Sequence, residues 1–322
     1  MIVTLTPNPS YDVTVALTAA LERGGVVRTA GEASQCGGKG INISRAAVSA
    51  GVPTVAVIPA TDDDPFVHSL RTDGIDTRPQ LPSGPIRSNI TLTEPDGTTT
   101  KLNSPGPEAT PATLDALADA LVARAERADW VVLAGSLPPG APAGWYAEVV
   151  TALRTGSAKV AVDTSDQPLT ELVAALPGAA PHLMKPNGDE LASLTGADAA
   201  AVEADPRAAA DAARTLLDRG VDAVLATLGG SGAVLVTAAG AWHATPPPTT
   251  VVSTVGAGDS SLFGYLLADL RHGGETDRLA LAVAYGSAAA ALPGTTIPTP
   301  DLVTPDLVRI NRLHDAQGSL HA

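Results

Sequence analysis

The sequence predicts an α/β protein with a doubly wound, mainly parallel sheet and a small antiparallel β lid. Two observations predict it. From about residue 110 onward, short β-branched runs alternate with Ala/Leu-rich helical stretches. Apolar runs separated by helix-length segments are the pattern of parallel strands joined by crossover helices. In the first third, four short strand-like segments come without helices of their own. Residues 1–322 read as a single domain, with lid strands in roughly residues 11–33 and 86–104 inserted within it.

The chain opens on an apolar strand, Ile2 to Leu5, followed by Asn8, Tyr11 and Asp12. An Asp at a strand's C-terminal edge faces the ligand crevice of an open α/β sheet and could accept hydrogen bonds from sugar hydroxyls. The alternative is a turn-forming Asx residue. Tyr11 to Leu17 and Val26 to Glu32 read as short strands. Gly37-Gly38-Lys39-Gly40 then leads into a helix ending near Gly51, a suitable C′ residue. Glycines before a helix bring bare backbone N–H groups to an anion or hydroxyl, and Lys39 can meet negative charge. The alternative is a tight turn with a solvated lysine. No Walker A pattern occurs.

Ser88 to Thr93 and Thr98 to Asn103 flank Glu94-Pro95-Asp96-Gly97, a hairpin turn. Arg87 and Asn89 fall on one face, as a phosphate and a hydroxyl would require, or as any solvent-facing edge strand allows. A small sheet with one apolar face needs a partner surface, so it would serve as a lid or a dimer contact.

Next come helical residues 111–127 and a buried strand, Trp130 to Ala134, with Gly135-Ser136-Leu137-Pro138 at its C-terminal edge. Helical residues 143–154 precede a strand from Lys159 to Asp163, and residues 206–219 precede Ala223 to Thr227. Between them lies Lys185-Pro186-Asn187-Gly188-Asp189-Glu190. Asn187 and Glu190 could hold a hydrated Mg²⁺, which takes few protein ligands, or form a capping box; both roles can coexist. Thr227 to Gly232, with Gly229, is a glycine turn or a close backbone approach to a flat or phosphorylated ligand.

After a loop at Pro246-Pro247-Pro248 comes Val252-Ser253-Thr254-Val255-Gly256-Ala257-Gly258-Asp259-Ser260, read as a strand end, a two-glycine turn and an acid at a helix start. Leu262, Phe263, Leu266, Leu267 and Leu270 mark one apolar helix face. Gly256 and Gly258 thus deliver N–H groups to a helix N-terminus, an anion site. Asp259 beside it would repel a ground-state anion, so the acid suggests a catalytic role, that of orienting and deprotonating a hydroxyl that attacks a phosphoryl group. A carboxylate at that helix end is expected to be a weak base. The polar tail beyond about residue 311 is expected to fray.

Composition narrows the function. Hydrophobic residues make up 44% of the chain and aromatics only 3%, so the core must be Ala, Val and Leu. A net charge of −14 without a basic block argues against nucleic acid, while a few local cations still suffice for one phosphate. The single Cys36 excludes an intrachain disulfide framework and multi-Cys metal sites. No apolar run reaches 18 residues and the start lacks a leader pattern, so a soluble cytoplasmic protein without membrane contact is expected.

In this order the pieces resemble the ribokinase-like sugar kinases of the phosphofructokinase-B type. The resemblance covers nearly the whole chain: Thr6 to Asp12, Gly37 to Asn42, Gly135 to Pro138, Lys185 to Asn187, and Val252 to Ser260, the last being highly specific. Lys39 within Gly38-Lys39-Gly40-Ile41-Asn42 matches the 1-phosphofructokinase and tagatose-6-phosphate kinase groups, where 6-phosphofructokinases of this type usually have glycine. The stretch Ala60 to Pro65 lacks the family's usual glycines.

The resemblance implies the ribokinase-like fold and an ATP-dependent kinase for a sugar phosphate, foremost fructose 1-phosphate, with tagatose 6-phosphate and fructose 6-phosphate as alternatives. It implies Asp259 as base and Gly256 and Gly258 as donors to the moving phosphoryl. Asp12, Gly38, Lys39, Asn42, Arg87, Asn89 and Ser136 would hold the sugar phosphate. Lys185, Asn187, Thr227, Gly229, Gly232 and Ser287 would line the ATP site, and Asn187 with Glu190 would serve Mg²⁺. Ser253, Val255 and Gly294 match places where some relatives bind K⁺, with Ser253 standing where ribokinases commonly carry Asp. A homodimer through the lid is expected. Two readings from other classes are a sugar-phosphate-binding protein without catalysis, and a dinucleotide-dependent oxidoreductase suggested by Gly256-x-Gly258-x-x-Ser261.

Overall fold

The computed structural model describes residues 1–315. The chain begins with β1 (Ile2–Leu5), enters the lid with β2 (Ser10–Leu17) and β3 (Thr29–Gly37), and returns through α1 (Lys39–Ser49). β4 (Thr54–Pro59), α2 (Pro65–Thr72) and β5 (Asp76–Gln80) follow, and β6 (Arg87–Thr93) and β7 (Thr99–Asn103) make a second lid hairpin. The alternating part runs α3 (Pro111–Ala125), β8 (Trp130–Ala134), α4 (Trp145–Leu153), β9 (Lys159–Asp163), α5 (Asp166–Ala174), β10 (Leu183–Met184) and α6 (Gly188–Thr195). It ends with α7 (Ala199–Ala204), α8 (Pro206–Leu217), β11 (Ala223–Thr227), β12 (Ala233–Thr237), β13 (Gly240–Thr245), α9 (Ala257–Leu270), α10 (Glu275–Ala290) and β14 (Arg309–Asp315).

The main sheet has the order β14-β13-β12-β11-β10-β9-β8-β1-β4-β5. From β5 across to β11 every pair is parallel, and from β11 to β14 every pair is antiparallel. The parallel strands are covered on both faces, which is why β1 and β8 are fully buried and, but for Thr4, apolar. Leu117 of α3, Val150 of α4 and Leu172 of α5 pack on one face; Ile43 of α1, Leu266 of α9 and Leu279 of α10 pack on the other. Strand order reverses at β1, with β4 and β5 on one side and β8 onward on the other. The carboxyl ends of strands at such a reversal form the crevice where ligands bind.

The second sheet has the order β3-β2-β6-β7. Its two outer pairs are antiparallel hairpins and its central pair, β2 with β6, is parallel. The turn into β7 closes as its residues require: Gly97 has φ 89° and its N–H donates to the Glu94 carbonyl at 2.9 Å. α1 ends on Gly51 at φ 70°, with Val52 N–H returning to the Ala47 carbonyl at 2.8 Å.

Four local expectations change. β3 begins at Thr29 rather than Val26, because Leu17 pairs with Thr29 and leaves Val26 in the connecting loop, 96% exposed. It then runs to Gly37 and hands the chain directly to α1. Val252 to Thr254 is loop, not a strand end, although Val252 N–H is satisfied by the Ala290 carbonyl at 2.8 Å. α9 is buried from Asp259 through Asp269 instead of along one face, because it lies on the sheet between α1 and α10. The stretch expected to fray from about residue 311 forms β14 up to Asp315, with Ile310 and Leu313 packing against the two core layers; the rest of the expected tail lies outside the described residues. Among the described residues no helix is long and apolar enough to cross a membrane.

Candidate active site

The lid brings Asp12, Arg87 and Asn89 together by register. In the parallel β2–β6 pair, Ser10 stands opposite Arg87 and Asp12 opposite Asn89. The Asn89 amide donates to Ser10 Oγ at 3.0 Å and to Asp12 Oδ1 at 3.2 Å, and Ser10 Oγ donates to the same oxygen at 2.8 Å. Arg87 is tied to backbone carbonyls: it donates to that of Ser104 at 2.7 Å and to that of Asn8 at 3.2 Å. The Asn8 amide in turn donates to the Pro105 and Leu137 carbonyls. Buried polar atoms without partners collect here: Thr6 Oγ1, Asn8 Oδ1, Asn89 Oδ1 and Arg87 Nε. Such atoms are rare in a folded interior and suit a polar ligand.

Gly38 caps α1 at φ 131°, a backbone state that L side chains rarely adopt, and a Cβ there would sit 2.6 Å from Thr6 Cγ2. The glycine run therefore lets α1 start against the end of β1. That start aims Lys39 and Asn42 at the carboxyl edge of the sheet. Lys39 Nζ donates to Asp163 Oδ1 at 2.7 Å, and Lys185 Nζ lies 3.2 Å from Asp163 Oδ2. Asn42 Nδ2 donates to Asp259 Oδ2 at 2.8 Å. Asp163, Asp259, Asn42 and Lys185 are all buried, while 37% of the Lys39 side chain is exposed.

Electrostatics separates the two carboxylates. Burial drives Asp259 upward, Lys39 pulls it back and Asp163 pushes it further, so that it stands at about 6 instead of 3.8. The expectation of a weak base set by the helix end is thus corrected: loss of water outweighs the dipole. Burial also works against Asp163, but Lys185 and Lys39 together hold it below the ordinary carboxylate range. Lys39 loses solvation too, yet Asp163 and Asp259 hold its ammonium charged well above the ordinary lysine range.

Gly256 caps α9 in the left-handed conformation, φ 79°, with no side-chain cap; the Ala257 N–H donates to the Thr254 carbonyl at 3.3 Å, and the next N–H groups, of Gly258 and Asp259, are left for an anion. Beside it opens a cavity of about 660 Å³ lined by Lys39, Lys185, Asn187, Glu190, Thr227, Gly229, Gly232, Gly258 and Ser287. The expected nucleotide residues therefore share one wall. The glycine turn at Gly229–Ser231 joins β11 to β12, and a Cβ on Gly232 would fall 1.9 Å from the Ala244 carbonyl oxygen. Asn187 and Glu190 form a complete capping box: Asn187 Oδ1 accepts from Glu190 N at 2.8 Å and Glu190 Oε2 accepts from Asn187 N at 2.9 Å. Both also face the cavity.

Not every expected residue converges. Ser136 is exposed after β8; of the expected acceptor residues only Lys39 lines the cavity, and Asp12, Gly38, Asn42, Arg87, Asn89 and Ser136 do not. Ser253 and Gly294 do meet: Ser253 Oγ donates to the Gly294 carbonyl at 3.1 Å and accepts from Val255 N at 3.2 Å. Asp163 is the site residue that sequence reasoning missed. Its signal was present, a lone acid closing the apolar Val160-Ala161-Val162 run at a strand's carboxyl end.

Comparison with known proteins agrees with this geometry. The model of the pfkB family carbohydrate kinases matches residues 6–302. The chain is 37% identical over 310 residues to the 1-phosphofructokinase of Rhodobacter capsulatus, covering 93% of each chain. It is 35% identical to that of Escherichia coli strain K12, covering 90% of this chain and 91% of the relative. Phosphofructokinase-2 from Escherichia coli, solved with substrates and products, superposes with a TM-score of 0.84 at 26% identity, covering 94% of this chain and 96% of that one. The same enzyme solved with potassium gives 0.82 at 25% identity, with the same coverage. The chain belongs to the pfkB family of carbohydrate kinases.

Proposed function

We propose that this ATP-dependent sugar-phosphate kinase acts on fructose 1-phosphate, giving fructose 1,6-bisphosphate and ADP. The observation that carries the reading is Asp259: a buried carboxylate raised to about 6, in the first turn of a helix without a side-chain cap, hydrogen-bonded to Asn42 and facing Lys39. The sugar's 6-hydroxyl oxygen would attack the γ-phosphorus while the bond to the β,γ-bridging oxygen breaks, with Asp259 taking the hydroxyl proton. The N–H groups beside Gly256 and Gly258 would meet the charge on the transferring phosphoryl. Lys185 lies on the same side, its Nζ 3.3 Å from where a Gly258 Cβ would stand.

The acceptor would lie between Asp12, Asn89, Arg87, Gly38, Asn42 and Lys39, with Ser136 at the rim. The unpartnered buried atoms of Thr6, Asn8 and Asn89 favour a polyol there. A lysine on the acceptor side favours a sugar that already carries phosphate. ATP would occupy the cavity along Lys185, Asn187, Thr227, Gly229, Gly232 and Ser287. Asn187 and Glu190 would hold Mg²⁺; their capping hydrogen bonds leave further lone pairs on hard oxygen donors, which suits an ion taking few protein ligands. When bound, that ion neutralises phosphate charge.

The donor set for K⁺ fits less well: Ser253 is neutral and its hydroxyl is already engaged with Gly294, so no step is assigned to that ion. A cytoplasmic homodimer built on the lid stays part of the reading, supported by half-exposed Val13, Val15, Ile90 and Leu92 on the lid strands. ADP formation measured side by side with fructose 1-phosphate, tagatose 6-phosphate and fructose 6-phosphate tests the acceptor. The highest kcat/KM is expected for fructose 1-phosphate, and a higher value for either other sugar would overturn the choice.

A further inference from the structure

Arg45 lies on α1, away from both ligand walls, and its guanidinium joins three elements. Nη2 donates to the Cys36 carbonyl at 3.0 Å, on the penultimate residue of lid strand β3. Nη1 donates to Asn42 Oδ1 at 3.4 Å. The outer side of Nη2 meets Asp73 at the end of α2, at 3.3 Å. Asn42 is buried and its other amide atom, Nδ2, donates to Asp259. An amide turned over would set its oxygen against the Asp259 carboxylate, and a donor on Oδ1 opposes that turn.

We infer that Arg45 is a positioning residue, tying the root of the lid strand to the Asn42 amide that orients Asp259. The inference rests on reading Asp259 as the base. Gly37, the last residue of β3, stands against the Asp12 carboxylate, 2.0 Å from Oδ2 to where a Cβ would be. Movement of this strand end as the acceptor binds would therefore be felt by Arg45 as well as by Asp12. The base is set by Arg45 through Asn42, alongside the groups that face it directly: Lys39 on α1, Asp163 at the end of β9 and Lys185 after β10.

The test is steady-state kinetics with fructose 1-phosphate on Arg45→Met, with the pH dependence of kcat. Loss of one hydrogen bond acting through a charged group lowers kcat roughly tenfold. KM for the sugar phosphate changes by a smaller factor than kcat, because Asn42 is one of several groups beside the acceptor. The acid limb of kcat moves to higher pH, since Asp259 loses an oriented donor. Asp73→Asn breaks only the exposed pair and keeps wild-type kcat and acid limb. Where Arg45→Met does not fold, Arg45→Lys, whose single nitrogen replaces the two-nitrogen fork that serves Cys36 and Asn42 from Nη2 and Nη1, shows the same shift of the limb. A wild-type kcat and limb in the folded Arg45 variant overturns the inference, as does Asp73→Asn reproducing its losses. Full turnover in Asp259→Asn would instead overturn the base assignment itself.

Discussion

Replacing Asp259 with Asn should make the protein more stable and nearly inactive. The carboxylate is 6% exposed and is raised from 3.8 to about 6. At about 1.4 kcal/mol per pH unit, keeping it ionised in the folded state costs about 3 kcal/mol once the pH exceeds both values. Because the folded form holds its proton more tightly than the unfolded form, stability falls as pH rises from about 4 to 6, then levels. The replacement amide does not ionise, and its oxygen can still accept from Asn42. At pH 8 the variant should therefore melt about 6 °C above wild type, at roughly 2 °C per kcal/mol for a protein of this size. Near pH 4 the two should coincide. A coupled ADP assay on the same samples should give a kcat lower by orders of magnitude. Equal melting temperatures at pH 8, or wild-type turnover, would refute the assignment of a buried, ionised base.

Wild-type kcat should fall on acidification with an apparent pKa near 6, the value at which Asp259 stands; a rate unchanged to pH 5 would contradict it. Asp163→Asn leaves the Lys39 and Lys185 ammoniums without their shared anion, so about 3 kcal/mol of stability should be lost in urea unfolding. The acid limb of any remaining activity should move to lower pH, because Asp163 raises Asp259. Gly258→Ala should lower kcat with little change in melting, as its Cβ meets only the Lys185 side chain, at 3.3 Å. Gly264→Ala should instead destabilise strongly, its Cβ falling 2.4 Å from the Leu281 carbonyl oxygen between α9 and α10.

The parallel half of the sheet was legible because strands buried on both faces must be continuous apolar runs, as Trp130-Val131-Val132-Leu133-Ala134 is. The anion cradles were legible because glycine before a helix is a local signal. β5 was not, since Asp-Thr-Arg-Pro-Gln is an edge strand paired on one side only and reads as loop. β14 escaped because its membership depends on pairing with β13, far up the chain. The basicity of Asp259 could not be read locally either. It is set by Asn42, 217 residues away, and by Lys39 and Asp163, which only the closed fold brings within reach. Asp163 was visible as a residue, but its tie to two lysines was not.

That tie has a consequence for how the two substrates meet. In the proposed reading Lys39 would meet the acceptor and Lys185 the nucleotide; both line the one cavity and lean on one carboxylate. An anion that draws either ammonium toward itself leaves Asp163 to hold the other more firmly. On that reading the two ligands would be thermodynamically linked through Asp163. Each should weaken the other's hold by the same factor, whichever arrives first.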